Sequence, residues 1–218
     1  ASETLDFSTL SLTHAALEVQ GGAADETITG SSGDDTLIGG VGADQLLGGD
    51  GNDRLEADDA DTLVNGGSGT DTMYLAADAT FLAAELSNVE NVLLAETADL
   101  TVDYTDVIGA DKIVSVTGTS GGVTEKLIVV GNATVGASET LDFSTLSLTH
   151  AALEVWGGDA DEVITGTSSA DTIIGGGGTD TVTGGGGADW IDGGSSTTTF
   201  VYAATTDTST DGTTGLDT

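Results

Sequence analysis

A nine-residue period is the sequence feature that most restricts the fold of this 218-residue chain. Units begin at positions 21, 30, 39, 48, 57 and 66, and again at 157, 166, 175, 184 and 193. Those at 39, 48, 66, 175 and 184 match G-G-x-G-x-D-x-U-x, in which U is a large apolar residue. Because so many units share one register, the pattern predicts a stack of repeats.

Each unit reads as a turn followed by a short strand. Glycines allow the turn to adopt positive φ and to aim carbonyl oxygens inward, and the x-U-x strand points its one large side chain into the interior. Two units would close one coil, so that alternate units stack at about 4.8 Å. The predicted class is all-β, a parallel β-roll or β-helix solenoid. Position eight supplies its core: Ile28, Leu37, Leu46, Leu55, Val64, Met73, Ile164, Ile173, Val182, Ile191 and Phe200.

The charge of the chain calls for a bound cation. There are 37 acidic and 3 basic side chains, a net charge of −34, and stacking would place like charges such as Asp35 and Asp53 together. Without cysteine, and with only two histidines, the chain offers oxygen ligands, which favour calcium before magnesium. The candidate carboxylates occupy position six: Asp35, Asp44, Asp53, Asp71, Asp171, Asp180 and Asp189, with Glu26 and Glu162 in the first units.

Calcium between stacked turns would supply much of the folding free energy, because one large apolar residue in nine leaves a thin core. We expect about three or four ions in the first run and about two or three in the second, given the many oxygen ligands that each ion takes. The unit at residues 57–65 is the weak one, since position six is Thr62. Asp58, Asp59 or Asp61 would have to compensate there.

A second, longer repeat indicates a duplication. Residues 1–19 recur unchanged as residues 137–155, a pattern typical of long surface arrays. Residues 67–77, however, align with the segment around Phe200 only if one nonapeptide is missing from the second copy. Because one unit is half a coil, we predict that the chain after Tyr202 leaves from the opposite edge to that used after Tyr74.

Between the runs, short apolar segments rich in β-branched residues favour irregular β-coils, with one short helix possible at residues 76–86. The predicted organisation is a lead-in (1–20), a first roll (21–74), an irregular linker (75–156) that includes the second lead-in (137–155), a second roll (157–202) and a tail (203–218). The absence of an initiator methionine and of a closing element leads us to expect an excerpt of a longer protein.

Several functions are disfavoured by the same sequence. The negative charge disfavours nucleic acids and anionic membranes, and there is no apolar run long enough to insert into a bilayer. No motif of a metalloprotease, serine hydrolase or cysteine nucleophile is present, so we predict neither an enzyme nor a small-molecule substrate.

The five matching units resemble the RTX family of hemolysin-type calcium-binding repeats, and the segment from GGSGTD to ELSNVENVLLA resembles RTX surface-layer or adhesin proteins. The resemblance implies type I export to a calcium-rich exterior through a carboxy-terminal signal that this sequence lacks. It also implies that calcium binds the position-six aspartates together with glycine carbonyls at positions two and four: Gly40, Gly42, Gly49, Gly51, Gly67, Gly69, Gly176, Gly178, Gly185 and Gly187.

The function predicted first is a calcium-dependent, self-associating building block of a surface layer or extracellular fibre, with further copies of itself as partners. The duplication and the unpaired strand edges at the coil ends favour it. Two alternatives remain at this point: the secretion and folding module of a larger exported enzyme, or an adhesin stalk.

Overall fold

The structure is a computed structural model that describes residues 2–10, 16–82, 85–103, 107, 112–119, 125–131, 138–195 and 198–201. Within these ranges the chain is built from strands and turns, without helix, which confirms the predicted all-β class. None of the described residues forms a helix of the length and apolarity needed to cross a bilayer. The strands are β1 (Glu3–Asp6), β2 (Glu18–Gln20), β3 (Glu26–Thr29), β4 (Thr36–Ile38), β5 (Gln45–Asp50), β6 (Arg54–Ala57), β7 (Leu63–Ser68), β8 (Thr72–Leu75), β9 (Ala79–Phe81), β10 (Leu86–Ser87), β11 (Asn91–Leu94), β12 (Leu100–Asp103), β13 (Ser115–Gly118), β14 (Glu125–Val130), β15 (Glu139–Asp142), β16 (Ser147–Thr149), β17 (Ala151–Trp156), β18 (Glu162–Thr165), β19 (Thr172–Ile174), β20 (Asp180–Thr183), β21 (Trp190–Asp192) and β22 (Thr198–Val201).

The strands stack in parallel and in the predicted register. Ile28 pairs with Leu46 and Leu46 with Val64, so alternate units lie directly above one another. Leu37 and Leu55 pair in the same way on the opposite side of the coil. The position-eight side chains from Ile28 to Met73 and from Ile164 to Ile191 are at most 2 % exposed, and Phe200 packs partly buried against them. The core of each roll is therefore made of two facing rows of apolar side chains, one from each sheet, at the positions that the period predicted.

The two repeat runs occupy different sheets. Sheet 1 has the order β1-β3-β5-β7-β10 and sheet 2 the order β2-β4-β6-β8-β11-β13-β16. Sheet 3 has the order β9-β12-β14-β17-β19-β21 and sheet 4 the order β15-β18-β20-β22. The first run lies in sheets 1 and 2 and the second in sheets 3 and 4, whereas sheets 2 and 3 both extend through the irregular coils. The faces of the solenoid are therefore formed by sheets 1 and 2 around the first run and by sheets 3 and 4 around the second.

The prediction of a possible helix at residues 76–86 is wrong, because the residues described there form strands and turns. Ala79 and Phe81 are buried on either side of the exposed Thr80, and β9 pairs with β12 in sheet 3. Alternation with a period of two is that of a strand, so the alanines around it do not decide the local structure.

The predicted loss of half a coil in the second copy is confirmed. Met73, which aligns with Phe200 when one nonapeptide is missing, lies in β8 of sheet 2. Phe200 lies instead in sheet 4, beside Val182 and in line with Ile164, the copy of Ile28 in sheet 1. The described chain therefore ends on the opposite side of the coil. Tyr202 and the tail at 203–218 lie outside the described residues.

Candidate calcium sites

The predicted carboxylates form buried columns along the solenoid. Each position-six side chain lies below the one a coil later, because the strands that follow the turns are in register. An acidic side chain is seldom buried unless something compensates its charge. All nine predicted carboxylates are at most 4 % exposed: Glu26, Asp35, Asp44, Asp53, Asp71, Glu162, Asp171, Asp180 and Asp189.

The Oδ1 atoms of most of the aspartates accept a main-chain N–H from the coil before: Asp35, Asp44, Asp53, Asp71, Asp180 and Asp189. The main-chain N–H groups of Glu26 and Asp35 donate to the Oδ1 atoms of Asp44 and Asp53, 18 residues later, at 2.7 and 2.8 Å. Asp53 N–H donates to Asp71 Oδ1 at 2.7 Å, and the second run repeats the arrangement. In these units, Oδ1 therefore takes the place of a main-chain acceptor between successive coils.

Among the aspartates, the hydrogen bonding of the second carboxylate oxygen, Oδ2, differs between units that match the full glycine pattern and units that do not. In Asp44, Asp53, Asp71 and Asp180, which belong to matching units, Oδ2 is buried and accepts no hydrogen bond from the described residues. In Asp35, whose unit lacks the position-two glycine, Oδ2 instead accepts the Ser31 N–H at 2.5 Å. A buried carboxylate oxygen without a donor is costly unless a cation neutralises it. The matching units are thus the ones whose aspartates fit calcium best.

The two glutamates of the first units have similar surroundings. Glu26 Oε2 accepts the Gly22 N–H at 3.2 Å. The Gly158 N–H, at the same place in the second copy, acts on the Glu162 carboxylate, whose two oxygens are buried. Both glutamates therefore stay candidates for calcium, although the Glu162 unit lacks the position-four glycine.

Because glycine at position one has no Cβ, it leaves space beside Oδ2 of the position-six aspartate in the same unit. A Cβ on Gly48 would overlap both Asp53 Oδ2 and the carbonyl oxygen of Gly66, one coil later. A Cβ on Gly175 would lie 2.7 Å from Asp180 Oδ2 and 3.0 Å from the carbonyl oxygen of Gly193. Each of these glycines therefore borders a small space lined by a carboxylate oxygen and a carbonyl oxygen, which are ligands that calcium prefers.

The role of position one was not predicted from the sequence. The signal was present, because Gly30 is retained in a unit that has lost the position-two glycine, and Gly166 in a unit that has lost the glycines at positions two and four. We assigned only the carbonyls of positions two and four, by resemblance. Glycine at position one is required by the space around the carboxylate and not by its main-chain conformation, since its φ is not in the left-handed region.

In the five matching units, the glycines at positions two and four do adopt positive φ, a region that side chains disfavour. The values run from 85° at Gly178 to 147° at Gly42. A Cβ at these positions would overlap the main chain one coil earlier; on Gly40, for example, it would overlap the Gly22 carbonyl oxygen. The ten glycines expected to supply carbonyls share this conformation: Gly40, Gly42, Gly49, Gly51, Gly67, Gly69, Gly176, Gly178, Gly185 and Gly187.

Asp61 takes the place of the missing carboxylate in the weak unit. It is 6 % exposed, and its Oδ1 accepts the Asp44 N–H at 3.2 Å, as a position-six aspartate would. Its Oδ2 accepts the Asp58 N–H at 2.9 Å, so both oxygens have donors. Asp59 is exposed and accepts the Thr80 N–H. Of the three residues that could compensate, Asp61 therefore completes the column, without the unpartnered oxygen of the matching units.

Side chains alone do not make a metal centre in the described part of the chain. No three Asp, Glu, His or Cys side chains converge there on a single point. Calcium would therefore depend on main-chain carbonyl oxygens as well as carboxylates, which is how the ion commonly reaches its six to eight ligands.

Comparison with known families identifies the two runs. The family model for the RTX calcium-binding nonapeptide repeat, which spans four copies, matches residues 20–55, 48–82 and 156–191. The chain contains RTX calcium-binding repeats. No curated protein and no solved structure matches the chain. An RTX roll is a structural, calcium-binding fold that is not catalytic by itself, and RTX repeats are typical of secreted bacterial proteins.

Burial raises the pKa values of several carboxylates in the RTX columns. Removal from water raises the pKa of Asp53 and Asp171 to about 7, and that of Asp61 to about 6. The pKa of Glu162 also rises to about 7, mainly through burial and then through its neighbour Asp180. Desolvation disfavours the charged form of each group, so protons and calcium compete for the same oxygens.

These shifts predict that acid partly substitutes for calcium. Because the folded pKa values lie above the ordinary value of 3.8, the folded metal-free chain binds more protons than the unfolded chain between about pH 4 and pH 7. Its stability should therefore fall as the pH rises through this window. Circular dichroism in chelator should show more β-structure at pH 5 than at pH 7.5. A metal-free chain that is equally unfolded at both values would contradict the prediction.

Proposed function

We propose that this chain is a calcium-dependent structural unit of an extracellular assembly. Calcium folds the rolls outside the cell, after type I export, and the folded solenoids then associate with copies of themselves in a surface layer or fibre. The observation that carries the proposal is an apolar surface on the outer face of sheet 3, in a chain whose net charge is −34. Exposed tryptophans grouped on one face are typical of protein interfaces.

The surface consists of Trp156, Ile174 and Trp190, on the adjacent strands β17, β19 and β21. Trp156 pairs with Ile174, and Trp190 lies two residues away along the next strand. The two tryptophans are 48 % and 37 % exposed. The Trp156 indole N–H donates to Glu154 Oε1 at 2.6 Å, and Glu154 also binds Lys126 Nζ at 2.8 Å. The ring is thus held at the surface, as suits a contact residue.

The duplication shows that this surface belongs to the second copy alone. The positions equivalent to Trp156 and Trp190 in the first copy carry Gln20 and Arg54. Both lie on the outer face of sheet 2, and the Arg54 guanidinium stacks 4.4 Å from the centre of the Tyr74 ring. The copies keep the same core and differ on their outer face, which supports contact between unlike faces of neighbouring molecules.

Substitution of both tryptophans should prevent assembly without preventing folding. The variant Trp156→Gln with Trp190→Arg introduces residues that the same fold already carries at these positions in the first copy. Light scattering in calcium should show assembly of the parent chain and none, or far less, of the variant, while circular dichroism shows equal calcium-dependent folding. Val41→Ser, which removes a side chain 68 % exposed in a turn of the first roll, serves as the control and should assemble normally.

Three results would count against the proposal. A parent chain that stays monomeric in calcium would favour a secretion and folding module of a larger exported enzyme. Assembly that is unchanged in the tryptophan variant would exclude the sheet 3 surface as the contact. Binding of the dispersed, folded chain to cells or glycans would instead favour an adhesin stalk.

A further inference from the structure

The acidic column of sheet 2 continues beyond the RTX units. Asp53 N–H donates to Asp71 Oδ1 at 2.7 Å, and Asp71 N–H in turn donates to Glu90 Oε2 at 2.7 Å. Glu90 thus accepts a hydrogen bond from the main chain of Asp71 in the same way as Asp71 accepts one from the main chain of Asp53. It lies in the loop at residues 88–90, outside the residues that match the RTX repeat. This closing loop therefore occupies the place of a further RTX turn.

The closing loop also repeats the arrangement of a carboxylate and a carbonyl around a position-one glycine. A Cβ on Gly66 would overlap both Asp71 Oδ2 and the carbonyl oxygen of Asn88. In the same way, a Cβ on Gly48 would overlap Asp53 Oδ2 and the carbonyl oxygen of Gly66. The Asn88 carbonyl therefore lies where the next RTX unit would have placed the carbonyl of its first glycine.

Local contacts hold the Asn88 carbonyl in this position. Asn88 has a φ of 50°, in the left-handed region that asparagine tolerates better than most residues. Its Nδ2 donates to Asn65 Oδ1 at 2.9 Å, and the flanking Leu86 and Val89 are buried in the core. The loop is thus anchored on both sides of the carbonyl oxygen.

Asp71 gives independent evidence of a ligand at this place. The residue is fully buried, and its Oδ2 accepts no hydrogen bond from the described residues. This oxygen faces the space beside Gly66 that the Asn88 carbonyl also borders. A buried carboxylate oxygen beside a carbonyl oxygen and a second carboxylate is stabilised by a cation, with which only a proton competes.

We propose that the closing loop completes a calcium site at the end of the first roll. Asp71 and the position-one space belong to the last RTX unit, while the Asn88 carbonyl and the Glu90 carboxylate replace the missing unit. Four residues separate Gly66 from Asp71, but only Val89 separates Asn88 from Glu90. The longer side chain of glutamate compensates for this shorter turn.

The shorter turn also sets the strength of the site. Because it lacks counterparts of the glycines at positions two and four, it offers fewer carbonyl oxygens, and water would complete the coordination of the ion. The site should therefore bind calcium more weakly than sites between two RTX turns. It would join the first roll to the irregular coils, since β10 and β11 flank the closing loop.

The test counts calcium ions on the full chain by native mass spectrometry and isothermal titration, at dilutions where the chain is dispersed. Glu90→Gln should bind one calcium ion fewer than the parent chain and keep the others. Glu96→Gln, at an exposed position in the turn after β11, should bind the parent number. Asn88→Gly and Asn88→Val both lose the bond to Asn65, but only valine disfavours positive φ, so only the valine variant should lose the ion.

The site rests on the assignment of the position-six carboxylates as calcium ligands and not on self-association, and Asp53→Asn separates the two failures. If Asp53→Asn loses calcium while Glu90→Gln keeps the parent number and affinity, the closing site is excluded and the RTX assignment stands. If neither variant loses calcium, both assignments fail. Should Glu90→Gln not fold, the pair at Asn88 decides, because equal calcium numbers in the glycine and valine variants would exclude the carbonyl ligand.

Discussion

Removal of calcium should abolish most of the β-structure of this chain at pH 7.5. The core of each roll is only two facing rows of apolar side chains, and the columns around it bury carboxylates whose charges repel one another. Without a cation, the folded state keeps buried oxygens such as Asp53 Oδ2 that have no donor. We expect circular dichroism to show a largely disordered chain in chelator and a cooperative gain of β-structure during a calcium titration.

Magnesium provides the control for this experiment. It is smaller than calcium, demands near-octahedral geometry and retains its water, so a site built from main-chain carbonyls suits it poorly. Magnesium at the same concentration should therefore restore little structure. A chain that is equally folded in chelator, or that magnesium folds as well as calcium, would refute the calcium-coupled fold.

A single substitution, Asp53→Ala, should raise the calcium concentration needed for folding at least about tenfold, equivalent to about 1.4 kcal/mol. Asp53 lies in the middle of its column: Oδ1 accepts the Asp35 N–H, and Oδ2 faces the space beside Gly48. Alanine removes both functions and leaves the Asp35 N–H without its acceptor, a further cost of about 1–3 kcal/mol. The calcium midpoint by circular dichroism measures the effect.

Asp50→Ala is the matched control for this substitution. Asp50 belongs to the same RTX unit and carries the same charge, but it is exposed at position three, where other units carry Val41, Ser68 or Gly177. Its removal should leave the midpoint within about a factor of two, since exposed charges contribute little. Equal shifts in the two variants would show that net charge, and not the column, governs folding.

The repeat runs were the predictable part of the fold, because their period specifies both the register and the buried residue. Position eight is apolar and position six acidic in nearly every unit, so the core and the buried carboxylates followed from the spacing alone. The fit of position one was harder to foresee, since it depends on the distance between a Cβ and oxygens in two different coils.

The irregular coils were less predictable for a physical reason. Once the period stops after Tyr74, no spacing shows which sheet the next strand joins, and β9 begins sheet 3 while β10 returns to sheet 1. The role of Glu90 was hidden for the same reason, and Asp61 could be named only as one of three candidates. Both lie off the nine-residue register and reach their columns through a shortened turn.

The half-coil unit has a consequence for how such a protein can change during evolution. Gain or loss of one nonapeptide turns everything downstream to the other side of the axis, as Met73 and Phe200 show, whereas gain or loss of a pair preserves direction. Length and direction therefore change together in discrete steps. Whether the number of units is odd or even would set the side from which an attached segment leaves the solenoid, without altering any residue of the core.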